Sequence, residues 1–194
     1  PGLRIALAAP TGKAAQRLTE SIAAQRVDVP EATTIHRLLG VRPRGGWTHG
    51  PASPLPADLV VVDEASMVSL PMMDALLAAL APSARLVLLG DPDQLASVEA
   101  GAVFGDLCAA GAGDAGPDLA AFCAGLGMTG VTADGDASPF ASAVVTLTES
   151  RRFTSASGIG AVARAVQAGD TGASREAFAR FDDVRLVPGD PSAG

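Results

Sequence analysis

Two side-chain groupings in this chain have the types and spacing to do chemistry on a phosphate. The first is Asp63-Glu64, set directly after the apolar run Leu59-Val60-Val61-Val62. The second is Gly90-Asp91-Pro92-Asp93-Gln94, set after Leu86-Val87-Leu88-Leu89. At the end of a buried strand Asp63 can hold Mg²⁺ through water, and Glu64 can orient or deprotonate the water that attacks a γ-phosphate. Gln94 carries both a donor and an acceptor, which suits contact with a terminal phosphate or its attacking water, and Asp91 adds a carboxylate beside it. Gly90 lets backbone come close to a ligand. The bland alternative for Asp63 and Glu64 is a pair of carboxylates capping the turn into the next helix. For Gly90-Asp91-Pro92-Asp93-Gln94 it is a solvated turn, which suits Asp93 better than Gln94.

Three basic or hydroxyl-bearing groupings accompany these acids. Pro10-Thr11-Gly12-Lys13-Ala14 suggests a P-loop but lacks its spacing. The pattern GxxxxGK[ST] needs Gly at position 7 and a hydroxyl at 14, where Leu7 and Ala14 stand. A helix N-terminus with free N–H groups, Thr11, Gly12 and Lys13 remains, and it suits a nucleic-acid backbone phosphate. Thr33-Thr34-Ile35-His36-Arg37 opens another helix with hydroxyls and two groups able to carry charge. Arg151 and Arg152 follow the apolar run 144–147 and could reach across a cleft to a γ-phosphate. An isolated solvent-facing cation for Lys13, a cap or core role for His36 and a surface pair for the arginines are the competing readings.

The elements that must place these groups follow from periodicity. Runs of four or more apolar residues predict strands covered on both faces, as in a parallel α/β sheet whose ligands bind beyond the carboxyl ends of the strands. Strands are predicted at 3–9, 58–63, 85–90, 144–147 and 184–187. Helices are predicted at 13–25, from Thr33 or Thr34 through Leu39, and at 70–80, 101–109, 117–125 and 158–168. Residues 41–57 read as a surface loop. Strand 58–63, helix 70–80 and strand 85–90 form a β-α-β unit with a right-handed crossover. The chain divides into 1–110, a Gly-, Ala- and Asp-rich insertion or linker at 111–142, and 143–194.

Composition bounds the rest. The 194 residues are 48% hydrophobic and 18% charged, enough for a core built on Ala, Leu and Val, since aromatics are only 4%. Two cysteines, Cys108 and Cys123, with no histidine near them, argue against a disulfide scaffold or zinc site and favour a cytoplasmic, reducing compartment. No apolar run approaches the roughly 18 residues of a membrane span. The net charge of −7 argues against a protein that coats nucleic acid indiscriminately. Residues 1–50 nevertheless hold seven Arg or Lys against three acids, which permits a local polyanion surface. The start, Pro1-Gly2-Leu3-Arg4, lies almost inside a strand and suggests a fragment.

Taken in order, the groupings resemble the motifs of superfamily 1 DNA helicases, and among these the RecD family, the alpha subunits of exodeoxyribonuclease V. Ala9-Pro10-Thr11-Gly12-Lys13-Ala14-Ala15 is similar to motif Ia, and Thr33-Thr34-Ile35-His36-Arg37-Leu38-Leu39 to motif Ib. Val62-Asp63-Glu64-Ala65-Ser66-Met67 resembles motif II, the Walker B element. Leu89-Gly90-Asp91-Pro92-Asp93-Gln94-Leu95, continuing through Ser97-Val98-Glu99-Ala100-Gly101, resembles motif III. Leu147-Thr148-Glu149-Ser150-Arg151-Arg152-Phe153 resembles motif IV and puts the family's phosphate-contacting arginine on Arg152.

That resemblance implies an α/β fold: a RecA-like parallel sheet flanked by helices, with the start of a second RecA-like domain. It implies ATP and Mg²⁺ as cofactors, Asp63 as the metal's anchor through water, Glu64 as the water-activating base, and Gln94 as the sensor of the γ-phosphate. Asp91 borders the nucleotide, and Arg152 completes the site. Thr11, Gly12, Lys13, Thr34, His36 and Arg37 contact the DNA backbone. It further implies 5′-to-3′ movement on single-stranded DNA, RecB-like and RecC-like partners, and work on double-stranded DNA in recombinational break repair. The P-loop should precede Pro1, so the chain alone is expected not to hydrolyse ATP. The alternatives are a non-hydrolysing DNA-binding or subunit-interaction module, and a stand-alone RecD-like or relaxase-linked helicase. A phosphatase built on Asp63 and Asp91 fits less well: such enzymes place two Asp two residues apart, and here Glu64 and Ala65 follow Asp63.

Overall fold

The computed structural model describes residues 2–27, 29–94, 103–136, 138, 140–147 and 157–187. It divides into two compact units, Pro1–Val144 and Val145–Gly194. In the first, strands β1 (Ile5–Ala9), β2 (Thr33–Thr34), β3 (Leu59–Val62) and β4 (Arg85–Leu88) form one parallel sheet in the order β2-β1-β3-β4. The same unit holds helices α1 (Gly12–Ala23), α2 (Ile35–Leu39), α3 (Leu70–Ala78), α4 (Val103–Ala110) and α5 (Pro117–Gly125).

Register decides what this sheet can do. Ala8 lies opposite Val62, and Val62 opposite Leu88. The residues after β1, β3 and β4 therefore leave the sheet at one edge, side by side. The ladder extends beyond the strands, because Asp63 N–H donates to the Ala8 carbonyl at 2.9 Å and Leu89 N–H to the Val62 carbonyl at 2.8 Å.

Local chemistry explains the helices that cover the sheet. Thr11 caps α1, its hydroxyl accepting from Ala14 N–H at 3.2 Å, and Ala15 and Leu18 supply the buried stripe one turn apart. Ser69 precedes α3, whose Pro71 sits in the first turn where its missing N–H costs nothing. Met73 and Leu76 of α3 then meet Val60, Val62, Ile35 and Leu39 in one cluster, all six at most 1% exposed. Each such side chain contributes about 1.5–3 kcal/mol by leaving water. Leu55 and Ala57, from the stretch expected to be surface loop, join that core, and Leu55 N–H bonds the Ala79 carbonyl at 2.8 Å.

Several expectations change. β4 is a sheet edge, with Val87 and Leu89 41% and 45% exposed, so it is not covered on both faces among the described residues. Residues 144–147 and 184–187 form no strand. Val145 and Leu147 are 81% and 91% exposed, and an apolar run that finds no strand to pair with has no ladder to join. β2 was not anticipated, because its Thr33-Thr34 pair reads equally as a helix cap, and Thr34 does both: its hydroxyl accepts from Arg37 N–H at 3.2 Å. The second unit holds α6 (Gly158–Gln167) and α7 (Thr171–Arg180). The unforeseen α7 is capped by Asp170, which accepts from Ala173 N–H at 2.9 Å, and buries only Ala177 fully, so its apolar period is weak. Asp183 closes the start of α6 by accepting from Gly158 N–H at 2.9 Å.

One ion pair ties the start of β1 to the approach of β3. Arg4 binds Asp58 through two side-chain bonds, of 2.6 and 3.1 Å, and through its backbone N–H at 2.9 Å. The guanidinium and amide donors lower the Asp58 carboxyl from the ordinary 3.8 to about 2. A depressed folded-state pKa makes this contribution full above about pH 4 and removes it as pH falls towards 2. Asp58→Asn should therefore flatten the acid limb of stability between pH 4 and 2 and leave the slope near neutrality unchanged, as read from thermal melts followed by circular dichroism.

Candidate nucleotide and nucleic-acid site

Beyond the sheet edge, each side chain singled out by the sequence has a definite support. Asp63 leaves β3 half-buried, and its Oδ1 accepts from Glu64 N–H at 2.9 Å. Glu64 then takes a left-handed conformation, φ 53° and ψ 41°. For a residue with a Cβ this costs on the order of 1 kcal/mol. It is held by Ala65 N–H donating to the Leu89 carbonyl at 2.8 Å and Met67 N–H donating to the Glu64 carbonyl at 3.0 Å, within a 3₁₀ turn over Ala65–Met67. That reversal separates the two neighbouring acids: Glu64, and not Asp63, lines a cavity of about 260 Å³.

The same cavity is lined by Thr11, Lys13, Ala14 and Arg17 from the start of α1, and by Met67 and Gln94. Gln94 is oriented from beneath. Its Oε1 accepts from Ser66 Oγ at 3.3 Å, leaving its NH₂ group to donate, and its backbone N–H bonds the Asp91 carbonyl at 3.2 Å. The Asp91 carboxylate accepts from Asp93 N–H at 3.0 Å and so stabilises the turn that presents Gln94. Gly90 is needed for the approach: a Cβ there would lie 3.1 Å from the Ser66 nitrogen and 3.1 Å from the Phe104 ring.

A second cavity, of about 450 Å³, runs between α1 and β2 and gathers Gly12, Thr34 and Arg37. His36 lies outside both cavity linings, on the exposed side of α2, with its ring edge-on to Trp47 at 5.7 Å between centroids. The expected nucleic-acid residues are thus split: Thr11 and Lys13 stand with Glu64 and Gln94, Gly12, Thr34 and Arg37 share the other cavity, and His36 belongs to neither. Arg151 and Arg152 lie outside the described residues, as do residues 95–102 of the third motif.

Among the described residues no three His, Cys, Asp or Glu side chains converge on a metal-sized space. Mg²⁺ needs no such cage, since it retains waters and is held by one or two carboxylates with substrate phosphates. Asp63, with one oxygen bound in its own turn and the other uncommitted, has the donor set for that arrangement. Burial pushes the Cys108 thiol up from its ordinary value, which makes it a poor nucleophile. Periodicity could have found Arg17, one helical turn beyond Lys13 on the same face. Ser66, the support for Gln94, is visible only once β3 and β4 are known to be adjacent.

A parallel α/β sheet whose tips carry an acid pair, a glutamine and a capped helix defines a domain with the RecA-like P-loop NTPase fold. Residues 1–119 match the family model described as AAA domain, and the chain belongs to that family. It is 45% identical over 204 residues to the RecBCD enzyme subunit RecD of Mycolicibacterium smegmatis, covering 98% of this chain and 31% of that protein. It is 42% identical over 197 residues to the subunit of the same name from Haemophilus influenzae, covering 92% and 30%. The ATP-dependent RecD2 DNA helicase of Deinococcus radiodurans is 50% identical over 100 residues, covering 52% and 13%. The resemblance to RecD that the motifs carry is thereby borne out, and the chain spans about a third of the length of the RecD subunits it matches.

Gly90→Ala should force the β4 tip away from Ser66 and lower stability by about 1–3 kcal/mol, the usual cost of overpacking. Urea unfolding of the full-length polypeptide measures this, and an unchanged midpoint would show that the tip tolerates a methyl group.

Proposed function

We propose that this chain forms part of an ATP-dependent 5′-to-3′ DNA helicase of the RecD type, the subunit of an exodeoxyribonuclease V that works in recombinational repair of double-strand breaks. The observation that carries the reading is the 260 Å³ cavity, in which Glu64 and Gln94 face Thr11 and Lys13. Groups suited to a γ-phosphate and groups suited to a DNA phosphate meet there at the start of one helix.

Bound MgATP would supply the phosphoanhydride to be broken and the cation that offsets its charge. Asp63 would hold the hydrated metal at the end of β3. Glu64, turned away from Asp63 by its left-handed backbone, takes a proton from water. Gln94 presents its NH₂ group to the terminal phosphate because Ser66 occupies its Oε1. Asp91 shapes that turn, and Arg152 is the arginine assigned to the charge of the terminal phosphate. Thr11, Gly12, Lys13, Thr34 and Arg37 hold the DNA backbone, with His36 beside Trp47 on the flank.

RecB-like and RecC-like subunits are the proposed partners and the cytoplasm the proposed compartment. No helix of the described residues is long and apolar enough to cross a membrane. A stand-alone helicase is the second reading, favoured by the Deinococcus radiodurans relative, whose name gives a DNA helicase and no complex, but that match covers 52% of the chain against 98% for the Mycolicibacterium smegmatis RecD subunit. In the full-length polypeptide Glu64→Gln should leave ATP binding intact and lower DNA-stimulated hydrolysis by about 10²–10⁴-fold, the usual range for loss of a general base. Nucleotide titration beside a turnover assay reads both, and retained turnover would remove Glu64 from this role.

A further inference from the structure

The cavity between α1 and β2 has a chemical gradient that backbone contact alone does not use. The β1-α1-β2 crossover runs α1 antiparallel to β2, so Gly12 at the start of the helix shares one end of the cavity with Thr34 and Arg37. Two turns along, Thr19 Oγ1 accepts from Ala32 N–H at 2.9 Å, and Glu20 and Glu31 flank that bond. The helix rises about 12 Å from Gly12 to Glu20, and the extended segment from Glu31 to Thr34 covers about 10 Å.

Arg37 and these carboxylates do not neutralise one another. Among the described residues the only salt bridge is Arg4–Asp58. A ligand matched to this space is anionic at the Arg37 end and presents hydrogen-bond donors at the Glu20–Glu31 end. One N–H of Gln16 donates to Glu20 Oε1 at 2.8 Å and holds that carboxylate at the cavity wall. No aromatic side chain lines the cavity, so the sequence-tolerant stacking of bases on rings has no platform here.

We propose that this cavity, about 450 Å³, is a nucleobase subsite on the single-stranded DNA track. It accepts bases with an exocyclic amine, cytosine foremost, over thymine. Carboxylates accept from the cytosine N4 amine. Thymine offers a carbonyl oxygen at the equivalent position, which faces Glu20 and Glu31 without a proton between them. The inference rests on the DNA reading above and adds a base preference to it.

The test compares oligo(dC), oligo(dT) and oligo(dU) binding to the full-length polypeptide, unmodified and with Glu20→Gln and Glu31→Gln combined. The unmodified protein should bind oligo(dC) roughly five- to tenfold more tightly than oligo(dT), on the scale of a single polar base contact in an open groove. Oligo(dU) should behave as oligo(dT), which excludes the thymine methyl group as the cause. Glutamine can donate to a carbonyl, so the double variant should bring the dC to dT ratio close to one. Loss of negative charge by itself would tighten all three equally and leave the ratio unchanged. A ratio near one in the unmodified protein, or the same preference in both proteins, overturns the subsite. Failure of all three oligonucleotides to bind would overturn the DNA reading beneath it.

Discussion

The parallel register of β1, β3 and β4 is the constraint on which every other feature of the site depends. Ala8, Val62 and Leu88 lie across from one another, so the next residues of three strands separated in sequence emerge within one narrow strip. A register slip of one residue in β3 would point Val60 and Val62, both fully buried, to the other face of the sheet. The core formed with Ile35, Leu39, Met73 and Leu76 therefore fixes the chemistry at the edge. Apolar packing is spent on placing polar groups that contribute little to stability themselves.

At that edge the backbone makes finer distinctions than the side-chain types do. Asp63 and Glu64 are chemically alike and adjacent, yet a single left-handed residue sends them to different surroundings. Asp63 stays with its own turn, while Glu64 faces the cations of α1. Ser66 likewise decides which end of the Gln94 amide is free. Helix α1 then borders two cavities at once, with Lys13 and Arg17 towards the acid and Gly12 and Gln16 towards β2. A displacement of this helix would alter both spaces together, and under the proposed function this would link nucleotide state to DNA grip.

Much of this was legible in the residues. The apolar runs before Asp63 and Gly90 located β3 and β4, because a short continuous run flanked by turn residues has few other uses in a globular domain. Thr11 and Thr34 marked helix starts through their capping chemistry, and α5 was found at 117–125 as expected. Residues 144–147 misled because β-propensity records a preference for a pleated neighbour without supplying one. Val87 and Leu89 misled in the same way, since an apolar edge strand has the same composition as a central one. Arg17 and Ser66 were missed as site residues because their importance lies in tertiary adjacency. The cavity shared by Lys13 and Glu64 is a property of the crossover from β1 to β2 and of the αL turn at Glu64, and no local pattern encodes it.

The most direct measurement of the central claim is an experimental structure of the full-length polypeptide with Mg²⁺, a non-hydrolysable ATP analogue and single-stranded DNA. The terminal phosphate should lie within one water of Glu64 and in hydrogen-bond reach of the Gln94 amide. A DNA phosphate should rest on Thr34 and Arg37, across α1 from that site. Nucleotide bound away from the tips of β3 and β4, or DNA on the opposite edge of the sheet, would contradict the account.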